Sequence, residues 1–514
     1  MYAKKTEVVN FYALFSIVKQ TMKKEDGGIK MDSIKRPASK DLNTNVSYLK
    51  DQLAVDKNFD IVFIELEYSG ISMALFAIDA FAKDQAITQI QREFIAIKDE
   101  DNTDVINLLT KTKIPFIEIE TNNDLEEVIT QLLSGQTVLV IEGYDDIILI
   151  DTREYPVRGP EEPDTEKVIR GSKDGFVETL VFNVGLMRRR VRNRTLRNEY
   201  VRIGRRSHSD ICITYIDDIA DHSLVEHIKS SLQNIDTDGL PMGDKTIEEY
   251  LFGQYTNPYP LVRYTERPDV AATHLFEGHV LVMVDGSPSV IITPTTFWNH
   301  LQHAEEYRQK PAIGTALRLV RFAAVWASIF LLPLWYLYAM NQDLLPYGLS
   351  YLGTDDPGEV PLLAQFLIAE TGIEMLRMAA IHTPNALATA LGLVAAILIG
   401  EVAMEVGLFT PEVVLYLAVA AIGTFATPSY ELSLANRLIR VIFLIFVAIF
   451  HVPGYMIGTL CLLILLTTMK AYDTPYLWPF IPFNAKSLRD VLFRAPIPLK
   501  KRRPRAIHPL DPDK

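Results

Sequence analysis

The chain has 514 residues, a formal net charge of −13, 48% hydrophobic residues and two cysteines. That allows two or three modules, and it excludes a disulfide-stapled scaffold and a uniformly basic nucleic-acid binder. The slightly positive mean hydropathy, +0.11, fits a hybrid of soluble and membrane parts better than either alone.

Residues 1–45 are polar, carry KKEDGG and KRPASK, and read as a flexible N-terminal arm. The start has no long apolar core followed by a small-residue cleavage site, so no secretory signal is expected. Residues 46–155 mix strand and helix signals as a first cytoplasmic α/β subdomain. FDIVFIELE (Phe59–Glu67) alternates like a strand, and Gly135–Asp151 reads as a hairpin around Gly143-Tyr144-Asp145. Residues 156–195 read as a helical connector ending in a basic run, with Arg188, Arg189, Arg190, Arg192 and Arg194 as candidates for a subunit contact. That run has no interleaved aromatics and the chain is acidic, so nucleic acid is not the expected partner. Residues 196–310 form a second α/β subdomain, with a strand at SDICITYID (Ser209–Asp217) and a hairpin over Gly278–Pro294. The two hairpins suggest a duplicated unit, with the first strands matched as FDIVFIELE and SDICITYID.

Residues 317–470 are expected to form a transmembrane bundle of five or six segments. Phe322–Met340 is a charge-free run of 19 residues, long enough to cross a bilayer. The loop that follows holds Asp343, Asp355, Asp356 and Glu359 with no Lys or Arg, which places it outside as a candidate acidic vestibule. Glu370, Glu374 and Arg377 share a helical face at i, i+4 and i+7, and Glu401 and Glu405 share another. Carboxylates in apolar segments face a bundle interior or a watery path, so these five residues are the candidate ion pathway or gate network. Arg377 is the expected counter-charge of Glu374, which leaves Glu370 spare. Arg437 and Arg440 precede the last run, Val441–Met469, and the basic tail follows it, so both flanks read as inside; either the run turns back at Pro453-Gly454 or one of the acidic segments does not fully cross. Residues 471–514 form a basic C-terminal tail. From Lys486 onward nine Lys and Arg stand against three Asp, a net +6, so the tail reads as cytoplasmic and attractive to anionic lipid. No catalytic triad, phosphate loop or metal-ligand spacing occurs, so no enzyme activity and no cofactor is expected.

Several motifs in order, RGPEEPDTEKVIRGSKDGFVETLVFNVGLMRRRVRN (Arg158–Asn193), YTERPD (Tyr264–Asp269), LFEGHVLVMVDGSPSVIITPTTFW (Leu275–Trp298), IEMLRMAAI (Ile373–Ile381) and TPYLWPFIPF (Thr474–Phe483), resemble the A-subunit family of spore germination receptors (GerA type). The resemblance runs from about Phe59 to Phe483. It implies a spore inner-membrane protein whose large N-terminal region and C-terminal tail face the spore core. It also implies a homo-oligomeric channel subunit that releases monovalent cations during germination, beside other membrane subunits. The insertion around PEEPDTEKV points to an auxiliary branch of that family. Rings of acidic side chains repeated around an axis would favour cations. The competing expectations are a non-conducting scaffold or signal-relay subunit of a germination complex, and, less favoured, a secondary transporter, which would need repeat halves in the bundle.

Overall fold

The structure is a computed structural model that describes residues 35–68, 70–82, 87–88, 90–92, 106, 118–153, 166–344, 348, 353–354, 358–382, 392 and 400–514. The arm before residue 35, Asp355, Asp356 and most of 383–399 lie outside the described residues.

The first unit opens with α1 (Leu42–Leu53), which Asp41 starts by accepting from the Thr44 N–H at 3.1 Å. Leu42, Val46, Leu49 and Leu53 fall on one face and are buried. That face packs, together with α2 (Leu125–Leu133), on a sheet of β1 (Ile61–Tyr68), β2 (Ile71–Ile78), β3 (Ile119–Asn122), β4 (Thr137–Ile141) and β5 (Ile147–Ile150). Neighbouring strands run antiparallel in the order β1-β2-β4-β5-β3.

The second unit repeats this plan. It contains α3 (Leu180–Arg190), β6 (Leu196–Ile203), β7 (Ser209–Ile216), α4 (His222–Gln233), α5 (Asp244–Phe252), β8 (Arg263–Thr265), α6 (Pro268–Leu275), β9 (Val280–Val284) and β10 (Val290–Thr293). Its strand order, β6-β7-β9-β10-β8, is again wholly antiparallel. In chain order, α3 therefore stands where α1 does, and α6 where α2 does.

Two expectations change. The strand SDICITYID is β7, which corresponds to β2 and not to β1; the counterpart of β1 is β6, LRNEYVRI, whose charged residues hide its strand character. The helix expected in the 156–195 connector is the first helix of the second unit. Phe176, Leu180, Val184 and Met187 are buried in one cluster with Cys212, Leu281 and Ile292, so that unit begins near Phe176, not at 196.

Within the second unit three histidines are buried. Burial, with His279 and Arg263 nearby, holds His274 well below the usual imidazole range; burial takes His279 to about 4; burial and Arg263 take His300 to about 3. These rings stay neutral in the folded chain while the unfolded chain protonates them near 6.5. Stability contributed this way is whole at neutral pH and falls as pH drops from about 6.5 toward 4. Glu277 works in the same region without offsetting this: despite its burial, Lys500 and Lys514 keep it ionised far below that window. The unfolding temperature of the α/β region should therefore fall steadily between pH 6.5 and 4, and a flat melting profile over that window would contradict the burial of these rings.

After the short helix α7 (Ala304–Arg308) come α8 (Pro311–Met340), α9 (Leu362–His382), a helical turn Ala403–Glu405, α10 (Pro411–Phe425) and α11 (Tyr430–Thr468). Among the described residues α8 and α11 are long and apolar enough to cross a membrane. α11 is two arms. At His451 the backbone leaves helical geometry, with φ 52° and ψ −126°. In a straight helix Phe443 and Tyr455 would lie about 18 Å apart, yet their rings stack with centroids 5.0 Å apart. A Cβ on Gly454 would collide with the Phe446 carbonyl, so glycine permits the close approach of the returning arm. Gly423 serves α10 in the same way against the Ala324 carbonyl of α8.

The arms have clear ends. His451 lies 3.4 Å from the Asn341 side chain at the end of α8. The returning arm leads back to the second unit, where the Phe297 N–H donates to the Tyr476 carbonyl at 2.8 Å and Tyr472 meets His227 edge-on. After the β11 (Lys470–Ala471) and β12 (Thr474–Pro475) pair, the tail forms α12 (Ala485–Leu492) and wraps the second unit. Lys500 and Lys514 pair with Glu277, and the Leu510 N–H donates to the Ile219 carbonyl at 2.9 Å.

Candidate functional site: a carboxylate–guanidinium network within the bundle

α9 carries Glu370, Glu374 and Arg377 along one face, as the spacing requires. That face meets the first arm of α11, where Arg437 and Arg440, three residues apart, point back at it. Glu370 Oε1 accepts from Arg440 Nε at 2.7 Å, and Oε2 from Arg437 Nε at 3.0 Å. Arg437 also bonds the Glu370 carbonyl and pairs with Glu374. Arg377 pairs with Glu374, its Nε donating at 3.1 Å, and bonds the Tyr430 hydroxyl. Arg440 Nη1 reaches the Ser328 carbonyl of α8 at 2.6 Å and Thr424 Oγ1 of α10 at 3.2 Å. The network thus ties all four helices together.

Its burial is uneven. The side chains of Arg440 and Glu370 are 2% and 5% exposed, whereas Glu374 is 31% exposed. The inner pair is therefore the costly one to desolvate, and it is tolerated because each charge has a partner and further hydrogen bonds. Three guanidiniums against two carboxylates leave a formal +1. The network lines a cavity of about 300 Å³ together with Thr427, Tyr430 and Ser433.

The expected Glu374–Arg377 pair forms. Glu370, expected to be spare, is instead held by Arg437 and Arg440. Those two arginines read in the sequence as flanking charges of the last apolar run. Glu370, an acid of an apolar segment with no counter-charge nearby, is the signal in the sequence that they turn inward.

Glu401 and Glu405 do not join this network. Both are exposed, where the chain leaves its apolar segment, and neither has an ion pair among the described residues. They belong to the bundle end where α8 finishes: the adjoining Thr410 N–H donates to Gln365 at the start of α9 at 2.9 Å, and the next residue, Phe366, packs on Trp335 near the end of α8 at 5.7 Å. Asp343 and Glu359 are exposed at that same end, and Asp355 and Asp356 lie outside the described residues. No metal-binding cluster occurs among the described residues.

The basic run expected at a subunit contact is in large part engaged inside the chain. Arg188 is fully buried against Asp60 of the first unit, Arg190 pairs with Asp174, and Arg194 pairs with Glu126. Arg189 and Arg192 sit beside them, half-buried and exposed respectively. The run joins the two α/β units, a role hidden in the sequence because Asp60 precedes Arg188 by 128 residues.

The family profile described as "Bacillus/Clostridium GerA spore germination protein" matches residues 47–506. Stage V sporulation protein AF of Bacillus subtilis (strain 168) is 48% identical over 467 residues, covering 90% of this chain and 94% of that protein. Spore germination protein A1 of the same organism is 30% identical, covering 80% and 85%. The crystal structure of the N-terminal domain of the A subunit of the Bacillus megaterium spore germinant receptor GerK3 aligns with 51% of this chain and 98% of that one, at 23% identity and a TM-score of 0.41. With a family match over most of its length and close similarity to a sporulation protein, the chain belongs to the GerA family of spore germination proteins.

Proposed function

We propose that this protein is a germination protein of the spore inner membrane, a subunit of a homo-oligomer that passes monovalent cations. The described helices run α8 outward, α9 inward, α10 inward, and the two arms of α11 outward and back; one further crossing between the end of α9 and the start of α10 makes six. This keeps the α/β units and the tail together on the core side, with Asp343, Glu359, Glu401 and Glu405 at the outer end. Large apolar side chains such as Val320, Ile422, Ile449 and Met456, each more than half exposed, supply the lipid-facing surface.

The observation that carries conduction is the pair Glu401 and Glu405. Exposed carboxylates at the edge of apolar helices are stable only against water or a partner. Repeated around a symmetry axis they make an acidic ring that favours cations. The Glu370–Arg440 network then acts as the latch that holds the helices closed. A second reading, a non-conducting scaffold of a germination complex, draws on one observation: the net positive charge of the network would repel cations at mid-depth.

Purified full-length protein in liposomes separates the two. Wild type should release potassium or sodium, and Glu401→Gln/Glu405→Gln should slow release on the order of tenfold, the equivalent of about 1.4 kcal/mol. A wild-type protein that runs as a fixed oligomer yet passes no ion under activating conditions would favour the scaffold.

A further inference from the structure

The tail and the second α/β unit enclose a cavity of about 880 Å³, and its lining is strongly basic: eight Lys and Arg against Glu277 and Asp490. Glu277 is already neutralised by Lys500 and Lys514 at 2.5 and 3.0 Å. Lys486 and Arg505 have no carboxylate partner among the described residues. Two buried donors of the lining also lack an acceptor, the indole N–H of Trp298 and Nε of Arg494, a side chain 8% exposed whose other nitrogens bond the Gln309 and Tyr307 carbonyls. A basic cavity with unpaired N–H donors suits an anion with several oxygens.

Its position says which anion. Trp298 stacks on Phe480 at 4.5 Å and meets Phe322, the first residue of the charge-free run of α8, at 5.6 Å. Arg318 of α8 donates to the Asp490 and Val491 carbonyls of α12 at 3.1 and 2.9 Å. The cavity therefore lies where the apolar bundle begins. Around it, Phe483 and Ile497 are 72% and 70% exposed, and Phe493 and Leu499 are more than half exposed. Exposed apolar side chains beside clustered basic ones mark a segment lying in a membrane interface.

We propose that this cavity binds the headgroup of an anionic phospholipid of the inner leaflet, with Lys486 and Arg505 on its phosphate and the Phe483–Leu499 rim against its acyl chains. The tail would then be a lipid-read collar linking the α/β units to the bundle. This rests on the membrane reading of the helices, and the two fail differently: a chain that stays monodisperse without detergent removes the membrane reading, whereas loss of headgroup preference removes only this one.

The test is native mass spectrometry of the full-length protein in detergent, titrated with phosphatidylglycerol or phosphatidylcholine. Phosphatidylglycerol should be retained about tenfold more strongly, and Lys486→Gln/Arg505→Gln should remove most of that preference at an unchanged unfolding temperature, since each basic residue near a surface is worth about fivefold. Equal retention of the two lipids, a preference that survives the double substitution, or displacement of the lipid by millimolar inorganic phosphate would overturn the proposal.

Discussion

Replacing Glu370 with leucine should destabilise the helical bundle by about 3–5 kcal/mol, the range for breaking a buried ion pair from one side. The substitution leaves Arg440, 2% exposed, with the Ser328 carbonyl and the Thr424 hydroxyl as its partners among the described residues, while Arg437 retains Glu374. Arg440→Met should cost less, because Glu370 would keep Arg437 at 3.0 Å. Glu370→Leu/Arg440→Met should recover part of the loss by removing both desolvated charges. Unfolding of the three variants in detergent reads this order directly, and equal destabilisation by both single substitutions would show that the carboxylate is not shared. On the conduction reading, the same Glu370 variant should raise resting ion leak, because Glu370 is the buried link between α9 and the Arg440 that also holds α8 and α10.

The environments of the acidic residues divide the work. Glu370 and Glu374 are compensated by arginines and tie helices together, whereas Glu401 and Glu405 have no ion pair among the described residues. Sequence spacing found both pairs but ranked them only by the one arginine nearby, Arg377. The decisive partners, Arg437 and Arg440, come from a helix some 65 residues later, and long-range pairing leaves no local periodicity to read. The same limit hid Arg188–Asp60.

Local signals fared better. Apolar runs broken by Gly143-Tyr144-Asp145 and by Asp285-Gly286 were legible as hairpins, because turn chemistry and alternation act within a dozen residues. β6 is hidden because LRNEYVRI carries Arg197, Glu199 and Arg202, and the first two of these are buried with Asp217 and Lys229 as their charge partners. α3 was visible as a helix but assigned to a connector, since only the packed structure tells which sheet a helix covers. The turn in α11 was one of two stated possibilities. Pro453 and Gly454 signalled a break, but only the ring contact across it shows that the chain reverses.

Arg188→Met should have an effect comparable to that of Glu370→Leu, in the other half of the molecule. Arg188 and Asp60 are 0% and 1% exposed, and they meet through two hydrogen bonds, 2.9 Å from Nε and 3.1 Å from Nη2. Asn198 also donates to Asp60 at 3.1 Å, and Asn58 accepts the Asn198 N–H at 2.9 Å, so the guanidinium sits in a closed polar joint between the two units. Methionine fills the volume but leaves the carboxylate buried with the Asn198 amide, at a cost of about 3–5 kcal/mol. Adding Asp60→Leu should return much of that stability, because the remaining charge goes with it. Arg188→Lys should not rescue, since an ammonium cannot span both carboxylate oxygens. The exposed pair Arg205–Asp236, 67% and 77% exposed, provides the contrast: Arg205→Ala should change stability by less than about 1 kcal/mol. Thermal unfolding of the full-length chain in detergent, followed with hydrogen exchange over 42–78 and 196–216, distinguishes these outcomes. If the joint couples the units, Arg188→Met raises exchange on both sides of it. A rise confined to the second unit would mean that the two repeats fold without reference to each other, and the coupling would then have to be sought in the Arg194–Glu126 contact instead.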